Sequence, residues 1–194
     1  MLWGHRSGLD NMLLDRSRSQ LLVVDVQDRW LGAMHEGDRM VENCAVLMQA
    51  AHRLGIPVTI SEQYPKGLGP TVARLDNVKG DAPVLEKMHF SCAAHTGLGT
   101  RIRGFASEGR SQLVICGIEA HVCVLQSALG FADGGLNVFV AADATTSRKA
   151  ESAALAQDRL AAAGMNIVTT EMAVFEWLHM AGTPEFKELS KLVK

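Results

Sequence analysis

The chain lacks any apolar run long enough to cross a bilayer, and its opening stretch, MLWGHRSGLDNM, lacks a basic segment leading into an apolar one. A cytoplasmic protein is the resulting expectation. No C-x-x-C pair occurs, and His5, His35, His52, His89, His95, His121 and His179 are too dispersed for metal-ligand spacing. No metal or other cofactor is expected. A dense Lys/Arg stripe is missing too: 19 basic and 21 acidic residues interleave, for a net charge of -2. That excludes the footprint of a nucleic-acid binder and favours a small-molecule substrate. Linkers, repeats and low-complexity tracts are absent, so the 194 residues are read as one domain, 1–194. With only four cysteines in a chain of this size, a disulfide framework is not expected.

What the chain does have is alternation. Leu21 to Val26, Leu113 to Cys116 and Val138 to Ala142 are apolar on both faces and read as buried strands. Val58 to Ser61 and Asn166 to Thr169 read as further strands, and Pro83 to Leu85 as a short one. Between them, the stripe Met40, Cys44, Leu47, Ala51 and Leu54 predicts a helix stopped by Gly55 and Pro57. Leu98 to Gly109, Val122 to Ala132 and Lys149 to Ala163 predict three more, whereas Gln63 to Asn77, with two prolines and two glycines, reads as loop. Strands alternating with helices imply an α/β fold with a parallel sheet, and such sheets bind ligands at the carboxyl ends of their strands.

Three residues fall at such ends. Asp25 closes the apolar LLVVD, where a carboxylate is costly unless it is paired, used, or capping the next helix. Cys123 follows the strand LVIC and a turn, at the start of a helix, where unpaired amides favour thiolate; the alternative is a small buried residue. Lys87 follows Val84 and Leu85 and is either a solvated charge or a partner for the other two. Cys44 and Cys116 read as inert core residues, and Cys92, in a polar loop, as partly exposed.

The stretches VVDVQD, LEKMHFS and VICGIEAHVCV, centred on these residues, resemble the three signature segments of isochorismatase-like cysteine hydrolases. FVAADATTSR is similar to the strand and turn after the family's nucleophile helix, so the likeness covers nearly the whole chain. It implies a six-stranded parallel sheet in a three-layer α/β/α sandwich. It also implies a triad in which Asp25 is the general base, Lys87 supports it and Cys123 is the nucleophile. Matching GIEAHVC places a cis peptide at Ile118-Glu119 and an oxyanion hole at the backbone N–H groups of Glu119 and Cys123. The metal ligands of nicotinamidases are missing from ISEQYPKGLGPT, and the cysteine is one that vinyl-ether-cleaving isochorismatases typically lack. EQYPKGLGPT and GIEAHVCV instead resemble the isochorismatase domain-containing proteins.

The implied activity is hydrolysis of a small amide-type, C–N but non-peptide, substrate through a covalent thioester. Two other readings stand beside it: a non-catalytic scaffold, and a redox-active thiol with Cys92 or Cys116 resolving Cys123. Gln27, Trp30, Gln63, Phe90, Glu119 and His121 are the expected pocket walls, with core packing or backbone bonding as their alternative roles. Tyr64 and Lys66 suit a lid or a subunit contact. The apolar run from Met172 to Lys194 packs on its own sheet or on a partner, and a homo-oligomer is expected.

Overall fold

The computed structural model describes residues 12–193; His5 and the opening residues 1–11 lie outside the described residues. Six strands form one parallel sheet: β1 (Ser19–Val24), β2 (Val58–Gln63), β3 (Val84–Lys87), β4 (Gln112–Ile118), β5 (Asn137–Thr146) and β6 (Asn166–Val168). Their order is β3-β2-β1-β4-β5-β6. The main helices are α2 (Gly37–Arg53), α5 (Thr96–Ser107), α6 (Leu125–Asp133), α7 (Ala150–Ala162), α8 (Thr170–Leu178) and α9 (Pro184–Leu189). Three single turns complete the helices: α1 (Asp28–Leu31), α3 (Pro65–Leu68) and α4 (Ala73–Asp76).

Every residue of β1 is buried because both faces of the sheet are covered. Leu21 and Val23 pack with Met40, Cys44 and Leu47 of α2 and with Val174 and Trp177 of α8. Leu22 and Val24 pack on the opposite side with Leu98 and Ile102 of α5, Phe131 of α6 and Leu160 of α7. The period-2 alternation of a strand thus feeds two separate cores, giving the expected three-layer α/β/α sandwich. From β1 the chain steps outward through β2 and β3, then returns to the other side of β1 for β4, β5 and β6. The reversal between β1 and β4 opens a crevice at their carboxyl ends.

The differences from the sequence reading are local. β1 stops at Val24, two residues early, because Asp25 takes a left-handed conformation with φ 53° and turns the chain out of the strand. Helix 122–132 divides into a π-turn, Ala120–Val124, and α6. Segment 63–77 is not plain loop. It holds α3, with proline at its first turn, and α4, each too short to show periodicity, tied down where the Glu62 carboxylate accepts from the Thr71 N–H (2.6 Å) and hydroxyl (2.7 Å).

Gly117 sits where the register of β4 on β5 slips between Ile115 and Gly117, with φ 111°. A Cβ there would run into the Val24 backbone, its carbonyl oxygen first. Gly117→Ala is expected to lower the unfolding free energy by more than about 2 kcal/mol through forced backbone movement. Urea denaturation measures it, and an unchanged midpoint contradicts the close approach.

Candidate active site

The crevice is built from the ends of four strands. Asp25 follows β1 and is 4% exposed, Lys87 ends β3 at 2%, and Cys123 lies on the turn after β4 at 7%. Asp25 does not cap a helix: α1 begins at Asp28, with Gln27 at its N-cap. Its left-handed backbone is fixed by an N–H donated to the Ser61 carbonyl at 3.0 Å, and the Ser61 hydroxyl donates to Oδ1 at 2.7 Å. Lys87 Nζ donates to Asp25 Oδ2 at 2.7 Å, to Gln63 Oε1 at 2.7 Å, and to the carbonyls of His89 and Phe90 at 3.2 Å each. This is no solvated lysine. A buried ammonium needs such a full set of acceptors to offset the loss of water.

A cavity of about 100 Å³ opens beside Asp25 and Cys123, walled by Trp30, Gln63, Phe90 and Glu119 together with Leu68 and Val122. Larger hollows elsewhere, such as the one of about 440 Å³ between Tyr64 and His95, do not reach Cys123. Two expected wall residues lie outside this cavity. Gln27 is fully buried, its amide accepting from Gln63 N (2.8 Å) and donating to the carbonyls of Gln63 (3.1 Å) and Gly69 (2.6 Å), so it joins β2 to the segment after it. His121 Nδ1 pairs with Ser147 Oγ at 2.9 Å and ties the nucleophile turn to the end of β5. Tyr64 and Lys66 stay exposed at the neighbouring hollow.

The turn itself carries a cis peptide at Ile118-Glu119. The Glu119 carbonyl accepts from the N–H groups of Val122 (3.1 Å) and Val124 (3.2 Å). Its carboxylate accepts from the Arg148 N–H (3.1 Å) and Nε (3.0 Å), and the Arg148 guanidinium lies 5.3 Å over the Trp30 ring.

Cys92 was expected to be partly exposed. It is fully buried on a 3₁₀ turn, Cys92–Ala94, its S–H donating to Ser61 Oγ at 3.6 Å. Two groups of the site had no signal in the sequence, Ser61 behind Asp25 and Arg148 beside Glu119, and the place of Cys92 behind Ser61 had none either. Only the placing of their strands side by side reveals them. Cys116 packs in the α2 layer and Cys123 in the other, so Cys116 has no path to resolve Cys123. Among the described residues, no group of three His, Cys, Asp or Glu side chains suits a metal ion, and no helix is long and apolar enough to cross a membrane.

The expectation of a lowered thiol pKa at Cys123 is overturned. Burial pushes it up first, the Asp25 charge and a hydrogen bond to Asp25 push it further, and the Lys87 ammonium opposes them without prevailing. The resting sulfur is a thiol. Cys92 is raised mainly by burial, and Cys44 by burial and by Cys116.

A buried Asp–Lys pair thus stands next to a cysteine at the carboxyl edge of a parallel α/β sheet. Residues 19–172 match the isochorismatase domain family. The chain belongs to the isochorismatase family. It is 35% identical over 182 residues to a secreted isochorismatase effector of Phytophthora sojae, covering 91% of this chain and 84% of the relative. To zebrafish isochorismatase domain-containing protein 2 it is 34% identical, covering 93% and 89%. A solved structure described as a MAR1 ribonuclease from Caenorhabditis elegans superposes with a TM-score of 0.86 at 31% identity, over 93% of this chain and 92% of that one.

Two outcomes follow from the buried charges and thiols. Lys87→Met leaves the Asp25 carboxylate buried without its cation and is expected to destabilise the fold by about 3 to 5 kcal/mol, whereas adding Asp25→Asn restores much of the loss. Denaturation of both variants measures this, and additive losses in the double variant contradict a direct pair. Because Cys44, Cys92 and Cys123 titrate above the unfolded thiol value of about 8.5, the unfolded chain loses those protons first. Their stabilisation is whole below about pH 8.5 and is lost as pH rises toward the folded values. Circular dichroism melts are expected to show Tm falling from about pH 8.5 to 10; a flat Tm there contradicts the raised values.

Proposed function

We propose that the chain is a cysteine hydrolase of small amide-type, non-peptide substrates, acting from a single domain, 1–194, through a thioester on Cys123. The observation that supports it best is the Cys123 thiol sharing a cleft with an Asp25 carboxylate held by Lys87 at 2.7 Å. A thiol raised by burial needs a base, and Asp25 is the carboxylate beside it.

In this reading the Cys123 proton passes to Asp25 as sulfur attacks the substrate carbonyl, forming the C–S bond. The oxygen gains charge and is held by the backbone N–H groups of Glu119 and Cys123. As the C–N bond breaks, the proton on Asp25 goes to the leaving nitrogen. Asp25 then takes a proton from water, whose oxygen attacks the thioester; the C–S bond breaks and the proton returns to sulfur. Lys87 keeps the carboxylate in place and compensates its charge throughout. Trp30, Gln63, Phe90 and Glu119 are the substrate-facing walls. The small cleft has no lysine, arginine or histidine in its lining to hold a phosphate, which favours this reading over the ribonuclease name of the nematode structure.

The protein is proposed to work in the cytoplasm, which keeps its four cysteines reduced, and as a homo-oligomer. Trp177, Leu178 and Leu189 pack on their own sheet, but Met172, Phe175, Met180 and Leu192 remain exposed and suit a self-contact. Light scattering gives the mass.

A screen over small amides, carbamates and ureas tests the activity. Cys123→Ala is expected to abolish turnover with the circular dichroism spectrum unchanged, and Asp25→Asn to lower kcat by about 10² to 10⁴. Full activity in Cys123→Ala ends the covalent route.

A further inference from the structure

The chemistry above leaves open what the cleft admits, and its lining narrows that choice. Trp30, Leu68, Phe90, Ile118 and Val122 make most of the wall. The polar groups that share it are already engaged. Asp25 holds Ser61 and Lys87; the Gln63 amide takes Lys87 and donates to the Met88 carbonyl at 3.0 Å; the Glu119 carboxylate holds Arg148. Each charge at the cleft has a counter-charge of its own: Lys87, fully buried, for Asp25, and Arg148, half-exposed at the rim, for Glu119. Among the described residues, no lysine, arginine or histidine lines the cavity. A carboxylate brought in by a substrate would lose its water, meet two carboxylates, and find no free cation.

Size sets a second limit. At about 100 Å³ the cavity is smaller than the neighbouring hollow of about 440 Å³ and suits a small acyl group. We infer that this site selects uncharged amides with a short apolar acyl group and excludes substrates carrying a carboxylate on that group, an inference that rests on the hydrolase reading of the cleft. Glu119 and its Arg148 partner are then specificity determinants: they place a compensated negative group in the wall where an anion-binding cation would otherwise stand.

Alkylation of Cys123 tests the selectivity without needing turnover. Iodoacetamide and iodoacetate react by the same displacement, in which the sulfur–carbon bond forms as carbon–iodine breaks, iodide leaves and the thiol proton passes to Asp25 or solvent. They differ in charge at nearly equal size. With peptide mass spectrometry reading Cys123, the rate ratio of iodoacetamide to iodoacetate is expected to exceed the ratio for reduced glutathione by about tenfold or more. Leu68→Arg, which adds a cation at the wall, is expected to bring the ratio back toward that of glutathione. A wild-type ratio at or below the glutathione value overturns the inference, and so does a ratio that Leu68→Arg leaves unmoved. A matched pair of substrates separates this inference from the hydrolase reading. Selective labelling with no amide, carbamate or urea of the screen hydrolysed rejects the hydrolase and with it the substrate class, while equal hydrolysis of isobutyramide and oxamate, whose acyl groups are of equal size, rejects the selectivity and keeps the hydrolase.

Discussion

The ion pair between Lys87 and Asp25 is the interaction on which the rest of the site depends. Taking both charges out of water costs several kcal/mol per ion, so the pair persists only because every remaining valence is filled. Ser61 fills one carboxylate oxygen, and Gln63 with the His89 and Phe90 carbonyls fills the ammonium. Those partners come from the ends of β1, β2 and β3, so satisfying one ammonium fixes how three strands finish. The cleft inherits its shape from that requirement: Gln63, pinned by Lys87, is one of its walls, and Asp25 is its floor.

The same pair also acts on the Cys123 thiol, after burial, with Asp25 raising its pKa and Lys87 opposing. Asp25 faces a neutral thiol and Lys87 faces Asp25, so the resting site carries no net charge. A helix-start position by itself predicts thiolate, but the helix begins with a π-turn and the sulfur is buried against a carboxylate. Desolvation and the nearby negative charge outweigh the dipole. In the proposed reaction sulfur becomes a strong nucleophile only while its proton moves to Asp25. A buried, uncharged thiol also resists the oxidation that a thiolate would invite.

Much of the fold was legible in the chain. Strands whose residues are apolar on both faces, alternating with striped helices, dictate a covered parallel sheet, and its carboxyl edge points to Asp25, Lys87 and Cys123. The convergence of the three was legible only through the family resemblance, because β1, β3 and β4 are brought together by crossovers that no local spacing encodes. Ser61 and Arg148 were not legible at all, and Cys92 was noticed as a thiol but not as a buried partner of Ser61. Each acts through a partner on another strand or turn, and a serine, a cysteine or an arginine there looks like any other. Gln27 lies outside the cavity for a related reason: the left-handed turn at Asp25, two residues before it, ends the strand alternation that would have kept the two on one side.

Lys87 rides on a short strand at the outer margin of the sheet, bonded to β2 alone, with Val84, Leu85 and Glu86 all partly open to solvent. Margins of this kind open more readily than the centre. When β3 peels away, β1 and β4 and both cores remain, yet the cation has left and Asp25 is stranded beside the sulfur with nothing to balance it. The edge position of this four-residue ribbon therefore predicts a graded response to warming, in which the Lys87–Asp25 pair is lost before the sheet itself comes apart.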